Sequence, residues 1–168
     1  MPNVIRDVVV PPELGTRVSF SAHDLFAPQT VKAQVLLLRW TLHNWSDDNC
    51  IRILRAQIPA LGTGSRLIIQ DTCMPSPGTV SLWKEKDLRS NDIDMAATFN
   101  SREREIGEWE SLLKTADQRF TLNTITQLDS SALSIIEVIW NGDMADVISQ
   151  WDYFTFKSSN GSTLRDLT

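Results

Sequence analysis

The sequence predicts an α/β fold, with a mainly parallel sheet flanked by helices. A continuously apolar run, VLLL at residues 35–38, is typical of a strand that is buried on both faces. Ser46 then begins a helical pattern with two aspartates in its first turn, where the helix dipole favours negative charge. A second apolar run, RLIIQ at residues 66–70, ends at Asp71. Strand, helix and strand in this order indicate a βαβ unit.

The rest of the chain contains further periodic segments. We predict a short strand at residues 17–20, a helix at 80–98, a second helix that starts after Ser101, and strands at 120–125 and 133–140. Residues 141–168 have a different composition and are expected to form an atypical, partly disordered tail.

The composition limits the classes of partner. The chain has 168 residues and a net charge of −5, and no basic cluster for nucleic acid stands out. Its apolar runs are too short to span a membrane. The N-terminus has no signal-peptide pattern, and the two cysteines lie far apart, so a cytoplasmic location is expected. No spacing typical of metal ligands is present, and no metal is expected.

Polar residues follow the predicted strands. In open parallel sheets, ligands bind at the carboxyl ends of the strands. Asp24 and His43 follow two of these strands, Asp71 ends a third, and Glu103 lies at the start of a later helix. An imidazole with nearby carboxylates can act as a general base. The same residues also suit ordinary strand ends and helix starts, so residue types alone leave both interpretations open.

A resemblance to a known family favours the first interpretation. The segment LRWTLHNWSD at residues 38–47 resembles the catalytic motif of plant and fungal small-molecule O-methyltransferases that use S-adenosylmethionine. Four further segments occur in the same order as in that family: AHDLF at 22–26, LIIQD at 67–71, NSRERE at 100–105 and IIE at 135–137. The similarity is greatest to the fungal branch that modifies polyketides and other secondary metabolites. It implies that residues 1–140 are the C-terminal part of a catalytic domain.

The resemblance also implies roles for individual residues. His43 corresponds to the general base that deprotonates a phenolic substrate, and Asp71 and Glu103 correspond to the acids that flank it. S-adenosylmethionine would be the co-substrate. The other implied site residues are Asp24, Leu25, Phe26 and Arg39 for the cofactor, and Asn44, Met95 and Asn100 for the substrate.

One family feature has no counterpart that we recognise in the sequence. The family's sheet begins with a strand that ends in a glycine-rich cofactor loop, whereas Gly62-Thr63-Gly64 follows a helix and precedes a strand. We therefore expect a partial Rossmann-like methyltransferase sheet, truncated at its N-terminus and lacking the family's dimerisation domain. The alternative to an active enzyme is a catalytically inactive remnant that binds a partner, such as a full-length relative. A methyltransferase-like fold used for another reaction, such as a pericyclic or dehydration step, also stays open.

Overall fold

The computed structural model describes residues 5–127 and 131–143. The prediction for the tail therefore lies outside the described residues from 144 onward. The strands are β1 (Val35–Arg39), β2 (Arg66–Asp71), β3 (Cys73–Met74), β4 (Arg104–Glu105), β5 (Phe120–Gln127) and β6 (Ser134–Trp140). The helices are α1 (Asp47–Gln57), α2 (Leu82–Phe99) and α3 (Ile106–Ala116), with single 3-10 turns at Pro12–Leu14, Leu42–Asn44 and Ile58–Ala60.

Four strands form the main sheet in the order β1-β2-β6-β5. Strands β1 and β2 are parallel and are joined through α1, which confirms the predicted βαβ unit. The prediction of a mainly parallel sheet was wrong, because β6 is antiparallel to both β2 and β5. Only a short connection separates β5 from β6, whereas a parallel pair needs a crossover of about a dozen residues or more. Strands β3 and β4 form a separate parallel pair.

Helices α1 and α3 pack on one face of the main sheet and enclose the core. The helices contribute Cys50, Ile53, Leu54, Trp109, Leu112 and Leu113, and the sheet contributes Leu67, Ile69, Ile136, Val138 and Trp140. Full burial of one such aliphatic side chain is worth about 1.5–3 kcal/mol. This covered face therefore holds β2 and β6 in place, and with them the carboxyl end of β2.

The opposite face of β1 is open within the described residues. Val35 and Leu37 are 56% and 60% exposed, whereas Leu38, on the covered face, is 8% exposed. The prediction that this strand is buried on both faces was therefore wrong. β1 is an edge strand, and no described helix lies over its outer face.

Residues 17–20 do not form the predicted strand. The amides of Arg17 and Val18 donate to the carbonyl oxygen of Leu14, at 2.8 and 2.9 Å, and these local bonds continue the preceding 3-10 turn. Amides held in a local turn are not available for a strand ladder. Farther along, the Gln29 amide donates to the Ala56 carbonyl at 2.7 Å, which fixes this segment against the end of α1.

Helix α2 lies largely apart from the core. Leu88 is its only buried residue, and Leu82, Trp83 and Ile93 are 85%, 78% and 67% exposed. No helix in the described parts of the chain is long and apolar enough to cross a membrane.

Candidate active site

The segment that carries His43 turns sharply as it leaves β1. Trp40 has a φ of 52°, in the left-handed region that is costly for a bulky residue. Two bonds hold this turn: the Trp40 amide donates to Gln70 O at 3.1 Å, and the Asn44 side-chain amide donates to Trp40 O at 3.1 Å. The turn directs the following residues over the carboxyl end of β2.

Asp71 binds this segment through its backbone. The carboxylate accepts hydrogen bonds from the amides of Thr41 and Leu42, at 3.2 and 3.0 Å, and is fully buried. Burial raises the pKa of Asp71 to about 6, although the positive charge of His43 and the two amide bonds oppose this. The Asp71 carboxylate, at the end of β2, thus fixes the backbone of Thr41 and Leu42, directly before His43.

Glu103 binds the imidazole itself. Its Oε1 lies 3.2 Å from His43 Nδ1, and both residues are buried. The Glu103 amide donates to Asp92 Oδ1 at 2.8 Å, which ties this residue to α2. Glu103 Oε2 is buried and has no hydrogen-bond partner among the described residues.

The charges around His43 favour its protonated form. Burial of the imidazole is the largest influence and by itself lowers the pKa of His43. The hydrogen bond to Glu103 and the negative charges of Asp71 and Glu103 outweigh it, so the pKa of His43 is raised above its ordinary value. Arg104 opposes this rise.

The arrangement can accept a proton at a defined atom. An ionised carboxylate only accepts hydrogen bonds, so Glu103 assigns the proton of neutral His43 to Nδ1. That leaves the Nε2 lone pair, to which nothing in residues 5–127 or 131–143 is hydrogen-bonded. The structure thus brings together His43, Asp71 and Glu103 in an arrangement suited to a general base.

The predicted cofactor residues lie elsewhere and make more local contacts. Asp24 is exposed, and its Oδ1 accepts from the Phe26 amide at 3.0 Å. Leu25 and Phe26 pack against the core, and the Phe26 ring lies edge-on to Trp45 with centroids 4.9 Å apart. Arg39 is exposed at the end of β1. In the described chain, no hydrogen bond or ion pair joins Asp24 or Arg39 to the His43 cluster.

The predicted substrate residues are distributed between the His43 turn and α2. Asn44 is half-buried and holds the turn at Trp40, as described above. Met95 is half-buried on α2, which lies against the turn Leu42–Asn44. Asn100 is exposed and ends α2 with a φ of 51°, a conformation that asparagine adopts more readily than most residues.

Two residues that are not among the predicted site residues also contact this cluster. The Trp40 ring centroid lies 4.9 Å from that of His43, and Trp40 is 48% exposed. Arg104 is 0% exposed and donates to carbonyl oxygens on both sides of His43. No sequence signal marks Arg104, because arginines are mostly exposed.

A separate apolar cleft of about 290 Å³ lies between α2 and the ends of β3, β5 and β6. None of the predicted site residues lines it. In the described residues, no group of three or more His, Cys, Asp or Glu side chains is arranged to hold a metal ion. Of these features, the His43 cluster is the one that contains the predicted site residues His43, Asp71 and Glu103.

Comparisons with known proteins agree with one another. A family model described as "O-methyltransferase domain" matches residues 1–119. The O-methyltransferase kk1A of Curvularia clavata is 41% identical over 140 residues, which is 83% of this chain and 33% of that protein. The O-methyltransferase pyvH of Aspergillus violaceofuscus is 48% identical over 126 residues, or 75% of this chain and 30% of that protein. The chain thus spans about a third of the length of these curated relatives.

Solved structures show the same fold. The structure of CalO1, described as a methyltransferase in calicheamicin biosynthesis in its SAH-bound form, superposes with a TM-score of 0.67 at 25% identity. The match covers 81% of this chain and 38% of CalO1. CalO6, described as a methyltransferase, superposes with a TM-score of 0.61 at 29% identity, over 69% of this chain and 38% of that one.

Proposed function

Because the chain belongs to the O-methyltransferase family, we propose that it carries the catalytic base of a methyl transfer from S-adenosylmethionine to a hydroxyl group of an aromatic secondary metabolite. The observation that supports this proposal is the buried pair of His43 and Glu103, in which Nδ1 faces the carboxylate and Nε2 has no hydrogen bond among the described residues. Relatives described as fungal O-methyltransferases support the reaction class.

The chemistry assigned to His43 is proton removal from the acceptor. S-adenosylmethionine, when bound, supplies an electrophilic methyl group on a positively charged sulfur. His43 Nε2 takes the hydroxyl proton, so that the oxygen lone pair forms the new bond to carbon while the sulfur keeps the electrons of the bond that breaks. Glu103 and Asp71 then stabilise the imidazolium. The products are a methyl ether and a neutral thioether.

The residues proposed for S-adenosylmethionine fit its chemistry. Asp24 has one carboxylate oxygen with no hydrogen bond in the described chain, and it can accept one from an adenosine donor. Leu25 and Phe26 offer apolar surface for a purine ring. Arg39, which forms no ion pair among the described residues, suits the carboxylate of the methionine part. Asn44, Met95 and Asn100 are proposed to line the acceptor side.

Calorimetric titration with S-adenosylhomocysteine tests the cofactor half of the proposal. We expect saturable binding that weakens about 10-fold or more in Asp24→Ala, since a hydrogen bond to a charged group is worth about 1.5–3 kcal/mol. Glu13→Ala removes another exposed carboxylate near the N-terminus and is the matched control. If the folded chain does not bind S-adenosylhomocysteine, the proposed cofactor role of Asp24, Leu25, Phe26 and Arg39 is contradicted.

Transfer of a deuterated methyl group to a panel of phenols, followed by mass spectrometry, tests the base. His43→Ala is expected to lower the rate by about 10²–10⁴-fold, the usual contribution of a general base. The chain has only one other histidine, the exposed His23, so His23→Ala is the matched control. Equal loss in both variants, or no loss in either, would remove His43 from the proposed role.

The exposed apolar surface favours a second candidate, a partner-binding module without turnover. Val35 and Leu37 on β1, and Trp83 and Ile93 on α2, are all more than half exposed. Exposed apolar side chains mark association surfaces where they form a continuous patch. Sedimentation of the chain with a full-length family member would show a complex that Leu37→Lys or Ile93→Lys weakens, with the polar exchange Asn91→Lys on α2 as control. A chain that sediments alone at all ratios would remove this candidate.

A further inference from the structure

The chain segment that supplies Glu103 also contacts the backbone on both sides of His43. Ser101 Oγ donates to the carbonyl oxygen of Trp45 at 2.8 Å, and Arg104 Nη2 donates to the same oxygen at 3.0 Å. Arg104 Nη1 reaches the carbonyl oxygen of Leu42 at 3.4 Å. His43 lies between these two carbonyl groups in the chain. Ser101 and Arg104 are 8% and 0% exposed.

Arg104 is itself held rigidly. Its Nε and Nη2 donate to Asp47 Oδ1 at 3.0 and 2.7 Å, and its guanidinium lies 5.4 Å from the ring centroid of Trp109. A planar guanidinium presents its donors in a fixed fork, and a buried one that loses its partners is costly. Arg104 therefore cannot move away from the two loop carbonyls without leaving a buried charge poorly paired.

The bond from Glu103 alone does not fix the imidazole. One hydrogen bond to Nδ1 sets a distance, but the backbone that carries the ring could still shift or rotate about it. Asp71 holds the amides on the N-terminal side of His43, and the bonds to the carbonyls of Leu42 and Trp45 restrict the backbone further and on both sides. Adjacent residues of one segment then hold both the ring and its backbone. Productive placement of a catalytic group depends on such support to within about 0.5 Å.

We propose that Ser101 and Arg104 are positioning residues for His43, which hold the loop on both sides of it so that Nδ1 stays against Glu103 and Nε2 stays free to take a proton. The proposal rests on the proposed role of His43 as a base. It does not require that the chain complete the methyl transfer by itself.

Arg102 offers a comparison within the same segment. Arg102 Nη2 also donates to Asp47, at 2.8 Å to Oδ2, but its side chain is 46% exposed and it does not contact the loop carbonyls. If Arg104 merely anchored the first turn of α1 through Asp47, Arg102 would have a comparable influence on His43. If Arg104 positions the loop, only Arg104 has that influence.

Nitrogen NMR of the two histidines tests the proposal in the full chain. With ¹⁵N-labelled histidine, the ring shifts report the tautomer and the pKa of His43, and His23 serves as an internal reference. Arg104→Lys keeps the positive charge but loses the fork, so a direct electrostatic change is small. Ser101→Ala removes one hydrogen bond to Trp45 O, and Arg102→Lys is the matched control.

We expect neutral His43 to show a single Nδ1–H tautomer in the wild type and a mixture in Arg104→Lys, with its pKa falling toward the about 6.5 of a free imidazole. Ser101→Ala is expected to change both readouts in the same direction by a smaller amount. Arg102→Lys and the His23 signals are expected to be unchanged.

Three outcomes would overturn the proposal. The first is that the tautomer and the pKa of His43 are unchanged in folded Arg104→Lys and Ser101→Ala. The second is the same change in Arg102→Lys as in Arg104→Lys, because the effect would then pass through Asp47. The third applies if Arg104→Lys does not fold. Ser101→Ala then decides alone, and an unchanged tautomer and pKa of His43 in that variant would overturn the proposal. Because these readouts need no cofactor, a failure of the methyl-transfer proposal is observed separately.

Discussion

The two halves of the proposed site are built in different ways. The loop that carries His43 is fixed by partners far away in the chain: Asp71, at a separation of about 30 residues, and Glu103, at 60. The Asp24 side chain, by contrast, is exposed, and it accepts a hydrogen bond from the amide of Phe26, only two positions away. The proposed base is therefore held by the tertiary fold, whereas the Asp24 carboxylate, which is proposed to bind the cofactor, is held by a local turn.

This difference separates stability from ligand binding. Substitutions that loosen the His43 loop leave buried polar groups unpaired, so they alter both the stability of the chain and the titration of His43. Substitutions at Asp24 expose nothing new and are expected to alter ligand binding alone.

The largest expected effect is on stability at Asp71. Asp71→Ala leaves the buried amide of Leu42 and the half-buried amide of Thr41 without acceptors, at a cost of about 1–3 kcal/mol for the buried one and less for the other. Asp24→Ala is expected to change the free energy of unfolding by about 0.5 kcal/mol or less. Urea unfolding followed by tryptophan fluorescence measures both.

A milder variant keeps this comparison measurable if Asp71→Ala is too unstable to purify. Asp71→Asn retains one acceptor oxygen and replaces the other with a donor, so its cost should lie between those of the two alanine variants. Equal stability changes at Asp71 and Asp24 would mean that the loop is not held in the way described.

A second prediction concerns the pH dependence of stability. Because the pKa of His43 is raised in the folded chain, the folded state holds this proton more tightly than the unfolded state does. The resulting stabilisation is fully present below the unfolded pKa of about 6.5 and is lost as the pH rises through the higher folded pKa. Glu103→Gln removes the charged partner of the imidazolium. It should therefore destabilise the chain more at pH 6 than at pH 9, by about 1–3 kcal/mol.

The exposed His23 supplies the control for this pH comparison. Its ring nitrogen lies 3.2 Å from the Ala27 carbonyl oxygen, so His23→Gln is the matched substitution with which the change in Glu103→Gln is compared at both pH values. A loss of stability in Glu103→Gln that does not vary with pH would show that the carboxylate acts only as a hydrogen-bond acceptor.

Most of the elements could be predicted from local patterns, but their arrangement could not. The apolar runs that became β1 and β2 and the helix start at Ser46 are local signals, and the structure confirms these two strands and this helix. Ser46 stands at the N-cap position of α1, but its side chain makes no capping hydrogen bond. Residues 17–20 alternate like a strand, yet the amides of Arg17 and Val18 bond to a preceding turn, which hydropathy does not reveal. The antiparallel placement of β6 depends on a contact with β2, far away in the chain.

The candidate site, too, could be predicted only in part from the sequence. The ordered motifs named His43, Asp71 and Glu103, and the structure brings these three residues together, although their roles stay predictions. Neither the motifs nor the composition indicated that Arg104 is fully buried, since charged residues are usually exposed. Its burial follows from the carboxylate of Asp47 and the ring of Trp109, which only the folded chain places around it.

The smallest expected effect separates two roles of Asn100. Its left-handed conformation ends α2, and glycine adopts that conformation without a side-chain penalty. Asn100→Gly should therefore leave the free energy of unfolding within about 0.5 kcal/mol of the wild type, whereas Asn100→Val should lower it by about 1–2 kcal/mol. Thermal unfolding of the three proteins measures this. If Asn100 also lines the acceptor site, Asn100→Gly should raise KM for a phenolic acceptor without a change in stability. An unchanged KM would restrict Asn100 to ending the helix, and the acceptor side of the site would then be formed without it.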